Sequence, residues 1–542
     1  MIQKIKNNRF ILAYSFIALL IVFSPYMKPD LIIGSDYPFH LARIDSLKAS
    51  ILDGVFSVKV HSYLCYTYGY GVGFFYPNLF LYIPALFRII GLSLEVSFKL
   101  FSIFLFTSIF LSMFYSTYRL TSSKYAALIS ATILLFSNQV LGSFYYSFTL
   151  GTSIGFIFLP LAIVGMYLFI VEDKTPWMLI FGFTGLIFSH VLSTILAVSV
   201  CFIIIICNIK HLFRVDKIKK LFTSILITSS LTISFWLPML EQFFVQQYHV
   251  SVPWTHVDEN IIPFVNLFRN TYGLGIVLTA LIIIMIIGII DKGFVDTKIL
   301  TFLIIGTLFW ILPSLSKFWM FTRNLFKFLQ FPTRLWGVAI FLLLFSFSIW
   351  FDINFKSNNL KKKITCILLV ACTYFGFYYL GDQVNNTEDF GNRIIYEEIA
   401  GLGAGEEWLP LETTRDFLNT PTSAVSNDGT TIEGIKNKGT FEFIPDPDKI
   451  YYDIPFVWYK GYTAKTADNI ALDVTKNPDT GMVRVHINNE ISATENKSIV
   501  VKYSGTKLQY ISYFISIISF ILVLCYWINQ LFYYKKSNKH FF

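Results

Sequence analysis

Three residues near the start of the chain have the types and spacing for acid–base or phosphate chemistry. Asp36, His40 and Arg43 stand at i, i+4 and i+7 in GSDYPFHLARI, a spacing that shares one face of a helix. A carboxylate, an imidazole and a guanidinium gathered there can hold a phosphate or a metal and take a proton from a hydroxyl. The same types have plainer uses. Asp36 follows Gly34–Ser35 and precedes the apolar series Leu41, Ile44, Leu47 and Ile51, so it also suits the N-cap of a short amphipathic helix in a membrane interface. His40 alone suits a packed interfacial histidine.

A second group is cationic. The Ser314–Arg334 stretch carries Lys317, Arg323, Lys327 and Arg334 with no acid among them. Such a set calls for an anion, and a lipid phosphate at headgroup depth fits; ordinary phospholipid headgroups would serve as well. His190, in IFSHVLST between Ser189 and Ser193, is a polar residue at membrane depth. It serves either a bound substrate or a hydrogen bond between helices. The loop after FWLPMLEQ offers Glu241, His249, His256, Asp258 and Glu259. Their spacing matches no strong metal motif, which leaves a divalent metal open as a cofactor. GYGVG (Gly69–Gly73) lacks the lysine and the strand–helix context of a phosphate loop.

These groups must be positioned by a membrane protein. Of 542 residues, 55% are hydrophobic and only 14% charged, and the mean hydropathy is +0.59. So few charges cannot cover a water-exposed surface. The net charge of +9 is unevenly spread: residues 382–508 carry −8 and the remainder +17. Basic charge accompanies the apolar part, so anionic lipid is the natural partner and nucleic acid is not. Five of the six cysteines lie in apolar runs and only Cys65 in an outer loop, which leaves no pair for an external disulfide.

Thirteen apolar stretches are candidates to span: Phe10–Tyr26, Phe75–Gly91, Val96–Tyr118, Tyr125–Leu141, Leu150–Val171, Pro176–Val191, Leu192–Ile209, Leu221–Leu240, Tyr272–Ile290, Lys298–Pro313, Leu335–Phe351, Ile364–Leu380 and Gln509–Phe532. The basic segments Lys4–Arg9, Lys210–Lys220, Lys356–Lys363 and Lys535–Lys539 belong on the cytoplasmic side. Both termini are then cytoplasmic and the number of crossings is even. Phe75–Gly91 is short and holds Pro77 and Pro84, so it reads as re-entrant, leaving about 12 crossings. The first stretch lacks a small-residue cleavage site and reads as a retained helix. Residues 1–381 then form the transmembrane region, with an outer loop at 27–74, and 382–508 form an outer domain. Alternating runs TFEFIP, MVRVHI and SIVVKY, with turn signals NPDTG and INNE, make that domain antiparallel β, a sandwich. Residues 509–542 give a last helix and a basic tail.

Taken in order, GSDYPFHLARI, YGYGVGFFYPNLFLYIPALF, SHVLST, FWLPMLEQ, LQFPTR, GLGAGEEWLP and DIPFVWYKGY resemble the YfhO-like bacterial membrane proteins. That group overlaps with one labelled 6-pyruvoyl-tetrahydropterin-synthase-related. The resemblance covers nearly the whole chain and implies a polytopic GT-C-like glycosyltransferase in a bacterial cell membrane. It implies a polyprenyl-phosphate-linked sugar as donor, such as an undecaprenyl-phosphate sugar, and a cell-wall polymer such as teichoic acid as extracytoplasmic acceptor. It also implies Asp36 as the acid that serves the acceptor hydroxyl. His40, Arg43, His190, Arg323, Lys327 and Arg334 would bind substrate, while Trp408 and Trp458 suit sugar stacking or core packing. The chain departs from the family within SFTLGTSIGFIFLP, where Ser147 and Thr152 stand near places that often hold an Arg and a Glu. Two other readings are a flippase for lipid-linked saccharide and a non-catalytic envelope-assembly protein. A transporter should show midplane charges and repeat symmetry; here the charges gather at the outer interface.

Overall fold

A computed structural model describes residues 2–27, 36–268, 274–293, 296–387, 402, 406–418, 423–487 and 497–538. Gly34–Ser35, residues 388–401 and Asn488–Glu490 of the INNE turn lie outside this set. Every apolar stretch named above meets helical structure. The helices are α1 (Ile2–Phe23), α2 (Tyr37–Leu52), α3 (Val72–Phe75), α4 (Tyr82–Ile89), α5 (Leu94–Thr121), α6 (Lys124–Leu135), α7 (Asn138–Leu141), α8 (Leu150–Val171) and α9 (Trp177–Ile187). They continue with α10 (Val191–Cys207), α11 (Val215–Val245), α12 (Ile276–Lys292), α13 (Thr297–Ile311), α14 (Ser316–Thr322), α15 (Trp336–Asn354), α16 (Asn358–Thr387), α17 (Arg415–Leu418) and α18 (Lys507–Asn538).

Among the described residues, seven helices are long and apolar enough to cross a membrane. They are Asn8–Met27, Leu94–Thr121, Leu150–Val171, Val215–Val245, Thr297–Ser314, Pro332–Asn354 and Lys507–Gln530. An eighth is made by Lys124–Leu135 with Asn138–Tyr146 if that pair, bent by 43°, counts as one span. This is fewer than the twelve expected; length accounts for α9, α10 and α12, whereas α16 (Asn358–Thr387) has 30 residues. A bilayer core takes about 20 helical residues at about 1.5 Å each, whereas α9 has 11 residues and α10 and α12 have 17. Helix α4 has 8, too few to cross, as Pro77 and Pro84 suggested.

The chain divides into two compact units, residues 1–41, 79–224 and 253–397 in the first and 42–78, 225–252 and 398–542 in the second. In the first unit, α8 and α15 are almost wholly enclosed. α13 lies along α15, and α5, α9 and α10 lie along α8. Glycine makes the α8–α9 approach possible. A Cβ on Gly182 would strike the Ala162 backbone, one on Gly165 the Leu179 backbone, and one on Gly185 the Phe158 ring. Small residues let backbones approach where apolar burial gives helices no drive to associate. Ion pairs mark one end of this bundle: Lys217 with Asp173 (2.6 Å) and Lys298 with Glu172 (2.6 Å). Serine caps start the helices that follow breaks, Ser93 for α5, Ser123 for α6 and Ser137 for α7.

The second unit holds two five-stranded antiparallel sheets, β2-β1-β5-β9-β8 and β3-β4-β10-β6-β7. These comprise β1 (Ala424–Ser426), β2 (Thr431–Ile432), β3 (Ile435–Asn437), β4 (Thr440–Phe443), β5 (Tyr451–Val457), β6 (Tyr462–Thr466), β7 (Ala471–Leu472), β8 (Val474–Lys476), β9 (Met482–His486) and β10 (Ile499–Tyr503). TFEFIP, MVRVHI and SIVVKY supply β4, β9 and β10, with alternate residues buried. Phe443 and Tyr452, from different sheets, meet at 5.1 Å. NPDTG forms the β8–β9 turn: Asn477 Oδ1 accepts from the Asp479 and Thr480 N–H groups, and Gly481 takes φ +71°. α16 runs to Thr387, past the expected start of the outer domain at 382. The loop residues 42–78 cluster with the sheets rather than with the rest of 1–381.

That loop is built into its unit by chemistry as well as by contact. Pro238 interrupts α11 and has no N–H to give the Ser234 carbonyl four residues back. Lys59 supplies the missing donor, its Nζ 3.1 Å from Ser234 O. The GYGVG glycines serve close packing, since a Cβ on Gly71 would enter the Tyr459 ring and one on Gly73 would strike the Val58 and Lys59 carbonyls. Trp408 stacks on Phe75 at 4.8 Å and 9°, which is core packing.

Two outcomes are expected. Gly182→Val should destabilise the helix bundle by roughly 1–3 kcal/mol, read as a lower melting temperature in detergent, because the neighbour it strikes is backbone. In intact cells, thiols introduced at exposed Ser57 and Asn427 should react with an impermeant maleimide, and one at exposed Lys219 should not. Labelling at Lys219 without permeabilisation would reverse the orientation.

Candidate functional site

Asp36 occupies the position before α2. Its carbonyl accepts from the His40 N–H (3.2 Å), which is the bond of a cap residue. Its own N–H donates to Ser147 O (3.2 Å). The partner segment is irregular: Gly142–Tyr146 is a single π turn, and Phe148 holds φ +55°. Phe148 is buried against Tyr37 (4.6 Å) and His40 (6.1 Å). An aromatic residue in the left-handed region costs on the order of 1–3 kcal/mol, and such strain collects at functional sites.

Two residues beyond Phe148, α8 begins. Thr152 in its first turn reaches His190 Nδ1 at 3.5 Å, and Ser193 Oγ lies 2.9 Å from the same nitrogen. His190 sits in the break between α9 and α10 with extended backbone, φ −156°. Its N–H donates to Leu186 O (2.9 Å) and its carbonyl accepts from the Thr194 N–H (3.1 Å), so both helix ends are satisfied across the break. Arg334 lies within electrostatic reach of this ring. Its guanidinium donates to Leu329 O (2.9 Å) and Gln330 Oε1 (3.2 Å) and lies over the Phe331 ring (5.4 Å). Gln330 is the second strained residue, at φ +56°, and its carbonyl accepts from Asn260 Nδ2 (3.2 Å).

The first unit thus sets Asp36 and His40 against Ser147 and Phe148, and His190 against Thr152, Ser193 and the field of Arg334. Three other expectations fare differently. Arg43 belongs to the second unit, where it is fully buried. Its Nη2 donates to Asn78 Oδ1 (2.7 Å), Tyr76 O (3.1 Å) and Pro77 O (3.2 Å), and the group stacks on the Tyr76 ring. Burial lowers its pKa to about 10. Asn78 in turn donates to His61 Nε2 (3.0 Å), and His61 Nδ1 meets Ser46 Oγ (3.0 Å). His61 is therefore neutral, pushed down to about 3 by burial and by Arg43. Arg43 and its neighbours lock the loop fold.

Arg323 corrects the expectation of unneutralised cations. It pairs with Asp258 (3.3 Å) and Glu259 (3.7 Å), acids that lie some 65 residues away in sequence and so were invisible to a local scan. Lys327 is exposed at the start of a single 3-10 turn, Lys327–Leu329. The remaining acids and imidazoles of the 241–259 loop are similarly engaged. Glu241 pairs with Lys460 (3.2 Å), His249 Nε2 meets Thr413 O (2.9 Å), and Glu259 accepts from the His256 N–H (3.0 Å). Among the described residues no group of three or more His, Cys, Asp or Glu is placed to hold a metal ion.

Sequence reasoning passed over Phe148, Gln330 and Asn260. The sequence offers one nearby signal: Pro332 biases Phe331, the residue before it, away from helix, which ends regular structure near Gln330. Phe148 has none, because its left-handed backbone is imposed by the rings packed on it.

No family model matches the chain, and no curated protein matches it. Among solved structures, the arabinofuranosyltransferase AftD from Mycobacteria, seen by single-particle cryo-EM, is similar with a TM-score of 0.41 and 14% sequence identity. The match covers 70% of this chain and 27% of that one, so this chain spans about a quarter of its length.

Gln330 offers a separation of fold from chemistry. Gln330→Gly should keep or slightly raise the melting temperature, because glycine tolerates positive φ. It should also remove one hydrogen bond that aims Arg334. A fall in melting temperature with Arg334-dependent activity unchanged would assign Gln330 to the scaffold alone.

Proposed function

We propose that this protein is a membrane glycosyltransferase of the GT-C type. It would move a sugar from a polyprenyl-phosphate donor, such as an undecaprenyl-phosphate sugar, to an extracytoplasmic polymer of the cell wall, teichoic acid being the expected kind. The observations that support this reading lie in one helical unit: Asp36 is bonded to Ser147, just before the helix whose Thr152 reaches His190, and Arg334 lies within electrostatic reach of His190. A proton acceptor and a cation at one place are what transfer from a phosphate-linked sugar needs.

In this reaction the Asp36 carboxylate takes the proton of the acceptor hydroxyl. The hydroxyl oxygen attacks the anomeric carbon, the bond from that carbon to the phosphate oxygen breaks, and polyprenyl phosphate leaves. One displacement inverts the anomeric centre. Arg334 stabilises the charge that grows on the departing phosphate, a charge-assisted contact worth roughly 1.5–3 kcal/mol. His190, held by Thr152 and Ser193, orients the donor beside it. His40 fixes the start of α2 through Phe148, so its role is to position Asp36. Exposed Lys327 adds positive potential, while Arg323 spends its charge on Asp258 and Glu259.

The test is Asp36→Asn, measured with purified protein, polyprenyl-phosphate sugar and cell-wall polymer. Asparagine caps a helix as well as aspartate does, so the fold and melting temperature should persist. It cannot take the proton, so transfer should fall by ~10²-fold or more. Near-normal turnover in Asp36→Asn, with Asp36→Ala merely unstable, would leave Asp36 as a cap and overturn the mechanism.

A further inference from the structure

We infer that residues 254–268 and 315–328 form an apron of the first unit that inserts its aromatic edge into the outer zone of an anionic bilayer leaflet. The inference starts from placement. The second segment joins the span Thr297–Ser314 directly to the span Pro332–Asn354, so both of its ends are held at one face of the membrane. Its side chains sort into two sets. Trp319 points inward: it is 1% exposed, its Nε1 donates to Leu312 O (2.8 Å), and it packs on Phe318 (4.9 Å) and Phe326 (5.8 Å). Phe321 is 93% exposed, and Met320 and Leu325 are also exposed.

The 254–268 segment extends the same surface with exposed Trp254, Phe264 and Val265. One contact fastens the two segments to each other, and three more fasten the first segment to the residues on either side of the second. Arg323 bridges to Asp258 (3.3 Å), Asn260 donates to Gln330 O (3.2 Å), Trp254 meets Phe331 (5.9 Å), and the Ile262 N–H donates to Pro313 O (3.2 Å). The apron is therefore a folded surface whose apolar side chains are displayed by its own packing.

Water is a poor neighbour for that display, since moving a large apolar side chain out of water is favourable in proportion to the area removed. A bilayer is the available apolar phase. Aromatic residues favour its interfacial zone, and lysines beside them favour anionic headgroups. Lys317 and Lys327, both exposed, flank the Phe321 edge and provide that attraction. Surface lysines near anionic lipid are held there by the leaflet's negative potential. This role is independent of the chemistry proposed for Asp36, although Gln330 and Arg334 lie at the apron's inner margin.

The experiment places a nitroxide at Phe321→Cys in full-length protein whose exposed Cys207, Cys366 and Cys525 are replaced by serine. The protein is held in nanodiscs of phosphatidylcholine or of phosphatidylcholine with phosphatidylglycerol. Collision with oxygen should exceed collision with a water-soluble nickel complex at 321, with the opposite order at a control label on Asn427. Adding phosphatidylglycerol should shift the 321 label deeper, and Lys317→Gln with Lys327→Gln should abolish that shift. A label at 321 as accessible to nickel as the one at 427 would overturn the proposal. So would an immobilised label shielded from both reagents, which would mean a covering protein or a second copy. A depth that ignores lipid charge would overturn the anionic preference. Because none of these readouts depends on sugar transfer, their failure is distinct from failure of the proposed activity.

Discussion

A backbone N–H or C=O cannot be left bare inside a bilayer, and this structure depends on how it meets that constraint at the places where helices stop. The breaks fall at Phe136–Ser137, at the π turn before Ser147, at Phe188–His190 and at Gln330. Each is closed by a named partner. Ser137 Oγ accepts from the Val140 N–H, Ser147 O accepts from the Asp36 N–H, His190 spans its break through Leu186 O and Thr194 N–H, and Asn260 serves Gln330 O. Continuous helices would need no such devices and would also offer no polar surface. The breaks supply the irregular backbone and polar side chains from which a site can be made, and three of the four lie beside the candidate residues.

The scaffold that holds these breaks still is ordinary close packing. α8 and α15 sit at the centre, and glycines let α9 approach α8 to backbone contact. Because Gly165 and Gly182 meet backbone atoms, the approach has little freedom to relax, and the first turns of α8 and α10 are fixed relative to each other. This sets the Thr152–His190–Ser193 cluster. The opposite end of the bundle is closed by ion pairs to the half-exposed Glu172 and Asp173. The lysines are largely buried, 5% and 18% exposed, and the acids half-exposed, so these pairs and the glycine contacts hold the two ends of the bundle.

In the second unit the same backbone rule acts through proline. Pro238 strips Ser234 O of its helical partner, and Lys59 replaces it, tying the loop that follows α2 to α11. Arg43, Asn78, His61 and Ser46 make the next layer of that tie. A chain that placed these polar groups without mutual partners would lose roughly 1–3 kcal/mol for each group left unsatisfied. The network holds the loop together, and the Val457 N–H donating to Tyr68 O (2.9 Å) and Gly71 packed on the Tyr459 ring set it against the sheets some 400 residues later.

The sequence by itself determined the membrane class, the positions of the apolar helices, the alternating strands β4, β9 and β10, and the short Asp36 helix with its acid at the cap position. Those features are local: hydropathy, period and capping are written within a few turns of chain. It did not determine which polar groups meet. The burial of Arg43 against Tyr76, Pro77 and Asn78, the neutralisation of Arg323 by Asp258 and Glu259, and the strained Phe148 and Gln330 arise from tertiary contacts rather than from the local sequence. The span count also needed the fold, because a hydropathy run marks where chain is apolar, whereas crossing depends on where helices such as α9 and α10 break. An i, i+4, i+7 spacing assigns one helical face, but partners on both sides decide what each side chain touches. Asn78 took Arg43 into its network, and Ser147 took the backbone of Asp36, because a buried donor or acceptor binds the partner that the tertiary structure puts within reach.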